Sequence, residues 1–111
     1  MTVAWEDYGT YATDVFTREA ERVIRGHDTS NPLYEVLLSA MRPQCYLVRA
    51  LRRFLYLAHL AVHSANTYSP LQAPQAAIDR HRYIRDEDRR TFSGMLYKLD
   101  ESVGKVDAIF G

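Results

Sequence analysis

The stretch FLYLAHLAVHSANTYSPLQAP, residues 54–74, decides how the rest of the chain is interpreted. Its first part, FLYLAHLAVH, is almost wholly apolar and ends on His63, and a loop with two prolines follows. A short apolar run bounded by turn residues predicts a buried parallel strand over 54–63. A buried helix is the alternative, because periodicity alone does not separate the two.

The segment YATDVFTREAERVIRGH, residues 11–27, predicts an amphipathic helix. Thr13 or Asp14 can cap its first turn by accepting a hydrogen bond from a free backbone N–H. Gly26 lies where a left-handed residue is expected to end the helix. The predicted apolar face comprises Val15, Phe16, Ala20, Val23 and Ile24.

Residues 85–110 show the clearest helical pattern, with Asp86 or Asp88 as the capping residue. Because glycine weakens a helix interior, Gly94 and Gly104 are expected to serve close packing against a sheet. The apolar stripe of this helix comprises Phe92, Met95, Leu96, Leu99, Val103, Val106 and Phe110.

The remaining segments are less regular. Residues 1–11 predict an extended lead-in, and 74–84 predict a short irregular or helical segment. Residues 34–54 hold two short helical patterns broken at Pro43. The fold class is therefore α/β, mostly helical with one central buried strand. Since one strand cannot make a sheet, either 34–53 supplies another element or the chain is a piece of a larger domain.

Composition limits the function classes. The 111 residues suffice for one small domain, and 47% hydrophobic with 25% charged residues is ordinary for a globular protein. A formal net charge of zero gives no indication of a nucleic-acid partner. No apolar run reaches the length of a membrane span, and no secretory signal peptide is visible at the N-terminus. The single cysteine, Cys45, excludes an internal disulfide.

Three blocks of the sequence resemble the sulfatase family, in its arylsulfatase B-like branch. Residues 11–33 are similar to the family pattern Y-S-T-D-x-F-T followed by P-L-F. Residues 54–74 are similar to F-L-Y-L-A-x-x-x-V-H-x-P-L-Q-x-P, with a slightly longer S-A-N-T-Y-S-P after the histidine. Residues 83–106 resemble R-x-x-[YF]-x-[GA]-M-x-x-x-[ML]-D-E-x-V-G. Together the blocks cover about 70 of the 111 residues in the family order.

The resemblance implies that residues 1–111 are an internal fragment of an alkaline-phosphatase-like sulfatase domain. Family members run from P-L directly into F-L-Y-L-A, whereas here residues 34–53 intervene. We therefore interpret 34–53 as a non-family insertion, with a translated intron or a gene-model error as its origin. An alternative transcript that lacks these codons would support this interpretation.

The family also implies two cofactors whose residues this sequence does not supply. Sulfatases convert the cysteine of C-x-[PA]-x-R to formylglycine, and they bind calcium through an early aspartate pair and a late D-N-G. The only cysteine lies in CYLVR, 45–49, with Leu47 where proline or alanine belongs, so we interpret this match as chance. No catalytic residue and no metal ligand is therefore assigned to this chain.

His63 matches the family histidine that contacts the substrate's sulfate group, and it is the one substrate-binding residue assigned here. The end of a parallel strand is also where open α/β sheets bind ligands. His59 precedes it at a spacing that suits metal ligands on a helix, but no third ligand is evident, so a half-buried or exposed histidine is the preferred interpretation. Asp100 and Glu101 point about 100° apart on a helix and do not converge, which favours a solvated face.

The complete enzyme implied by the resemblance hydrolyses sulfuric esters of sulfated sugars, including glycosaminoglycans, or of aryl sulfates. It is lysosomal or secreted, and its partner is a sulfated small molecule or glycan. The chain alone is expected to be inactive. The alternative is a small non-enzymatic helical interaction protein that dimerises through the stripe of residues 85–110.

Overall fold

The computed structural model describes residues 5–28, 30, 34–37 and 54–110. The elements, in chain order, are a 3₁₀ helix at Trp5–Asp7, helix α1 at Ala12–Gly26, strand β1 at Tyr34–Leu37, strand β2 at Phe54–Leu57, helix α2 at Gln75–Asp79 and helix α3 at Glu87–Phe110. The predominance of helix agrees with the sequence prediction. Among these residues, no helix has the length and apolar character needed to cross a membrane.

Strand β2 differs from the predicted buried strand in three ways. It ends at Leu57 instead of His63, and its side chains alternate between exposed and half-buried, with Phe54 49% and Tyr56 52% exposed. It is also paired in parallel with β1, in a register that places Tyr34 beside Phe54 and Leu37 beside Leu57. The prediction of a single, buried strand was therefore wrong. Within the described residues, the parallel pairing runs from Tyr34–Phe54 to Leu37–Leu57, and residues 58–60 follow β2 without strand structure.

Strand β1 also corrects the helical interpretation of residues 34–54 at its N-terminal end. Tyr34 and Val36 favour an extended conformation, and β2 supplies their hydrogen-bonding partner. The remainder of that prediction, including the break at Pro43, lies outside the described residues.

Helix α1 starts and ends within one residue of its predicted limits, but its capping was predicted incorrectly. Tyr11 is the N-cap and makes no capping hydrogen bond through its side chain, whereas Thr13 and Asp14 lie inside the first turn. At the other end, Gly26 belongs to the helix and His27 follows in extended conformation. The positive φ among the described glycines is at Gly9, at +83°, where the chain turns from the 3₁₀ helix into α1.

Helix α3 is the centre of the packing, because α1 and α2 both lie against it. Asp86 caps α3 as predicted, since its carboxylate accepts a hydrogen bond of 2.8 Å from the Arg89 N–H. Among the described residues, the buried apolar side chains are Ala20, Ile24, Ala77 and Met95. Of the predicted stripe on α3, Phe92, Leu96 and Val103 remain 41–57% exposed.

The two glycines of α3 have different surroundings. A Cβ on Gly94 would lie 3.1 Å from the backbone nitrogen of Ile78 and 3.3 Å from the Cβ of Ala73, so Gly94 permits close packing of the α2 region against α3. The predicted packing purpose holds for Gly94, although the neighbour is a helix and not a sheet. It is wrong for Gly104, where a Cβ would meet no atom within 4 Å.

Candidate functional site

A cleft of about 980 Å³ lies between the start of α1, the loop that follows β2 and the segment that precedes α2. Residues 9–14 form one wall, and residues of the loop, Leu60, Ala61 and 63–65, form another. Residues 72–74 and the buried Met95 of α3 complete the lining. The cleft therefore collects residues from all three blocks that resemble sulfatases.

The wall formed by α1 can attract negative charge. The first N–H groups of a helix have no partner within the helix, and they carry a partial positive charge. The N-cap residue of α1 is Tyr11, and its side chain makes no capping hydrogen bond with these N–H groups. Asp14 adds a carboxylate to the same wall, but Lys98 of α3 lies 2.7 Å from it and balances its charge.

His63 lies in the opposite wall, with an exposed side chain. Its position follows from a tight turn after β2, in which the His63 N–H donates to the Leu60 carbonyl at 2.8 Å. Its ring Nδ1 lies 2.7 Å from the Ser64 carbonyl oxygen. Because a carbonyl only accepts, Nδ1 carries the proton. The neutral ring therefore offers Nε2 as an acceptor, and only the protonated ring can donate through Nε2 to an anion.

His59 does not join His63 in the cleft lining. It is half-buried, as the sequence interpretation preferred, and its Nε2 lies 3.2 Å from the Ser102 hydroxyl on α3. Burial lowers the pKa of the His59 imidazole below its usual value of 6.5. Ser102 also lies 2.6 Å from the hydroxyl of Thr17 on α1. The sequence analysis did not identify Ser102 or Thr17 as buried polar residues. A signal for Thr17 was available, because Thr13 and Thr17 share the helical spacing of the buried Ala20 and Ile24.

The carboxylates of α3 are not an acid–base pair. Asp100 is exposed, and Glu101 accepts hydrogen bonds from Lys105 at 2.8 Å and from Lys98 at 2.7 Å. These two contacts lower the pKa of Glu101 to about 2. Glu101 therefore stays ionised and serves ion pairing, in agreement with the predicted solvated helix face.

The described residues do not fit a bound divalent cation. Within residues 5–28, 30, 34–37 and 54–110, no group of three or more His, Cys, Asp or Glu side chains could hold a metal ion. Asp14 stands in the cleft wall as a carboxylate already paired with Lys98. Cys45, the cysteine considered for formylglycine, lies outside the described residues.

Comparison with known proteins finds similarity to an arylsulfatase. Arylsulfatase J of Mus musculus is 33% identical to this chain over 104 residues, which is 93% of the chain and 13% of that protein. The chain thus spans about an eighth of the length of this curated relative. No protein-family model matches the chain. No solved structure matches it either. The match to Arylsulfatase J, together with the three sequence blocks, supports a relationship between this chain and the sulfatase family.

Proposed function

We propose that this chain corresponds to part of the catalytic domain of an arylsulfatase B-like sulfatase, and that His63 contacts the sulfate group of the substrate. The relationship to Arylsulfatase J carries the proposal, because it extends along 93% of the chain. The cleft adds a physical reason for the role of His63. A sulfate there would meet the imidazole on one side and the N-terminus of α1 on the other.

The proposed complete enzyme has an alkaline-phosphatase-like fold and hydrolyses sulfate esters of sulfated sugars or aryl sulfates. In the family, calcium neutralises the sulfate charge and formylglycine supplies the nucleophile. The described residues fit neither group, so the part proposed for this chain is to hold the sulfate. A lysosomal or secreted location belongs to the same proposal.

The state of His63 determines how this contact works. The Nδ1–H of His63 donates a hydrogen bond to the Ser64 carbonyl, so Nε2 can donate to a sulfate oxygen only when the ring carries a second proton. A protonated ring both donates a hydrogen bond and contributes a positive charge.

A titration of the purified chain with sodium sulfate tests this proposal. NMR spectra of the backbone amides and histidine rings should show changes at His63, at Ser64 and in the first turn of α1. The titration is repeated with sodium chloride at the same ionic strength. His63→Ala should abolish the sulfate-specific changes, whereas His27→Ala, at the opposite end of α1, should retain them. Equal changes with chloride and sulfate would refute a sulfate site.

The domain organisation is tested separately. We propose that residues 34–53 are a translated intron foreign to the family, which places β1 inside the inserted segment. Sequencing of full-length transcripts should reveal a message without these codons. Their presence in every mature message would contradict the insertion. The 111-residue chain is expected to release no sulfate from an aryl sulfate above the buffer rate, and clear turnover would contradict that expectation.

A further inference from the structure

A line of hydrogen bonds joins the segment after β2 to both long helices. His59 Nε2 lies 3.2 Å from Ser102 Oγ, and Ser102 Oγ lies 2.6 Å from Thr17 Oγ1. Thr17 Oγ1 in turn lies 2.6 Å from the backbone carbonyl oxygen of Thr13. Thr13, Thr17 and Ser102 are 2–4% exposed, so water cannot readily replace these partners.

Each hydroxyl has only one proton to donate, and this determines which group is the donor in each hydrogen bond of the line. The Thr13 carbonyl can only accept, so the single hydroxyl proton of Thr17 points to it. The contact between the two hydroxyls then requires the proton of Ser102. With that proton used, Ser102 can only accept from His59, and the proton of His59 must lie on Nε2. Hydrogen bonds that run in one direction strengthen one another in a low-dielectric interior.

The other ring nitrogen of His59 is consistent with this assignment. Nδ1 is buried and has no hydrogen-bond partner among the described residues. A proton there would be a buried donor without an acceptor, which costs more than a buried lone pair that lacks a donor. The Nε2–H tautomer therefore leaves the less costly of the two unsatisfied groups, a buried lone pair on Nδ1.

We propose that this line, which we call the His59 chain, positions His63 across the cleft from the start of α1. Its two ends support this role. His59 stands immediately before Leu60, whose carbonyl closes the turn that carries His63, and Thr13 belongs to the opposite cleft wall. His59, Ser102 and Thr17 are thus positioning residues. The part that concerns His63 rests on the proposed sulfate site, whereas the direction of the His59 chain does not.

The direction is tested by NMR on the full chain with ¹⁵N-labelled histidine. The ring nitrogen shifts should identify His59 as the single Nε2–H tautomer at neutral pH. Ser102→Ala should replace this state by the averaged tautomers of an imidazole without a fixed partner. An Nδ1–H tautomer, or averaging in the unaltered chain, would overturn the assignment.

The positioning role is tested with two substitutions at one position. Thr17→Val keeps the side-chain shape and removes the hydroxyl, whereas Thr17→Ser keeps the hydroxyl. We expect Thr17→Val to weaken sulfate binding about two- to tenfold and Thr17→Ser to preserve it. Unchanged affinity in Thr17→Val would overturn the positioning role. If the unaltered chain shows the predicted tautomer but binds no sulfate, both the proposed function and the positioning role fail, while the direction of the His59 chain stands.

Discussion

The ammonium group of Lys98 lies 2.7 Å from the carboxylate of Asp14, and this contact ties the middle of α3 to the first turn of α1. The Lys98 side chain is only 13% exposed, and it also lies 2.7 Å from Glu101. Burial opposes the charge on Lys98, but hydrogen bonds to Asp14 and Glu101 outweigh it and raise the pKa of Lys98. The charge is therefore retained at the boundary between the helices and the cleft.

Lys98→Met should destabilise the chain by about 1–2 kcal/mol, because it leaves two partly buried carboxylates without their shared partner. Lys105→Met is the matched control. Lys105 is 46% exposed and pairs with Glu101 one turn earlier on the same helix, so its loss should cost about 0.5 kcal/mol or less. Urea unfolding followed by circular dichroism measures both, and equal effects would show that the cross-helix pair adds no stability.

The low pKa of Glu101 predicts a loss of stability in acid. Its ordinary value is 4.5 and its folded value about 2, so the folded state binds the proton less readily than the unfolded state. The resulting stability is complete above about pH 4.5 and falls as the pH drops towards 2. The difference in urea midpoint between the unaltered chain and Glu101→Gln should shrink over that interval. A constant difference would contradict the assignment to Glu101.

His59 predicts a second pH response at a higher pH. Burial lowers its folded pKa, so the unfolded chain takes up the proton first as the pH falls below 6.5. Stability should therefore decrease with acidity from about pH 6.5 downward. His59→Gln, whose amide can still donate to Ser102, should lose less stability over the same interval. Urea midpoints of both proteins should be measured at several pH values. If the midpoint falls with pH in parallel for the two proteins, His59 is excluded as the source of the pH-dependent stability.

The glycines of α3 predict opposite effects of the same substitution. Gly94→Ala should lower the melting temperature, because the new Cβ would press on the backbone of Ile78, which cannot move as freely as a side-chain end. Gly104→Ala should raise it, since the space is open and alanine is better in a helix by about 0.5–1 kcal/mol. Thermal unfolding scans of both variants test this prediction. A higher melting temperature in both would show that α2 can shift to accommodate a Cβ at position 94.

The helices were predictable because their signals are local. Periodicity placed α1 within one residue of Ala12–Gly26, and Asp86 marked the start of α3. The buried face of α1 was less predictable. Val15, Phe16 and Val23 are only half-buried, whereas Thr13 and Thr17 are buried, because a serine 85 positions away satisfies the hydroxyl of Thr17. Helical spacing cannot reveal such a tertiary partner.

The strand and the site depended even more on distant partners. The apolar run 54–63 contains enough β-favouring residues for a long strand, but strand structure in this run covers Phe54–Leu57, the residues that pair with β1. His63 therefore lies in a turn, and its cleft is formed with a segment some fifty positions earlier in the chain. The sequence pattern identified His63 as a candidate, whereas neither its hydrogen bond to Ser64 nor the opposite wall of the cleft was predictable from sequence.

The parallel pairing of Tyr34–Leu37 with Phe54–Leu57 has a consequence for any longer protein that contains this chain. Each strand offers two edges, and one edge of Phe54–Leu57 is already taken by a segment that we interpret as foreign to sulfatases. A larger sheet can then grow only from the remaining edge, unless the foreign strand is displaced. Retaining or removing residues 34–53 would thus decide between two incompatible strand orders around the same four residues.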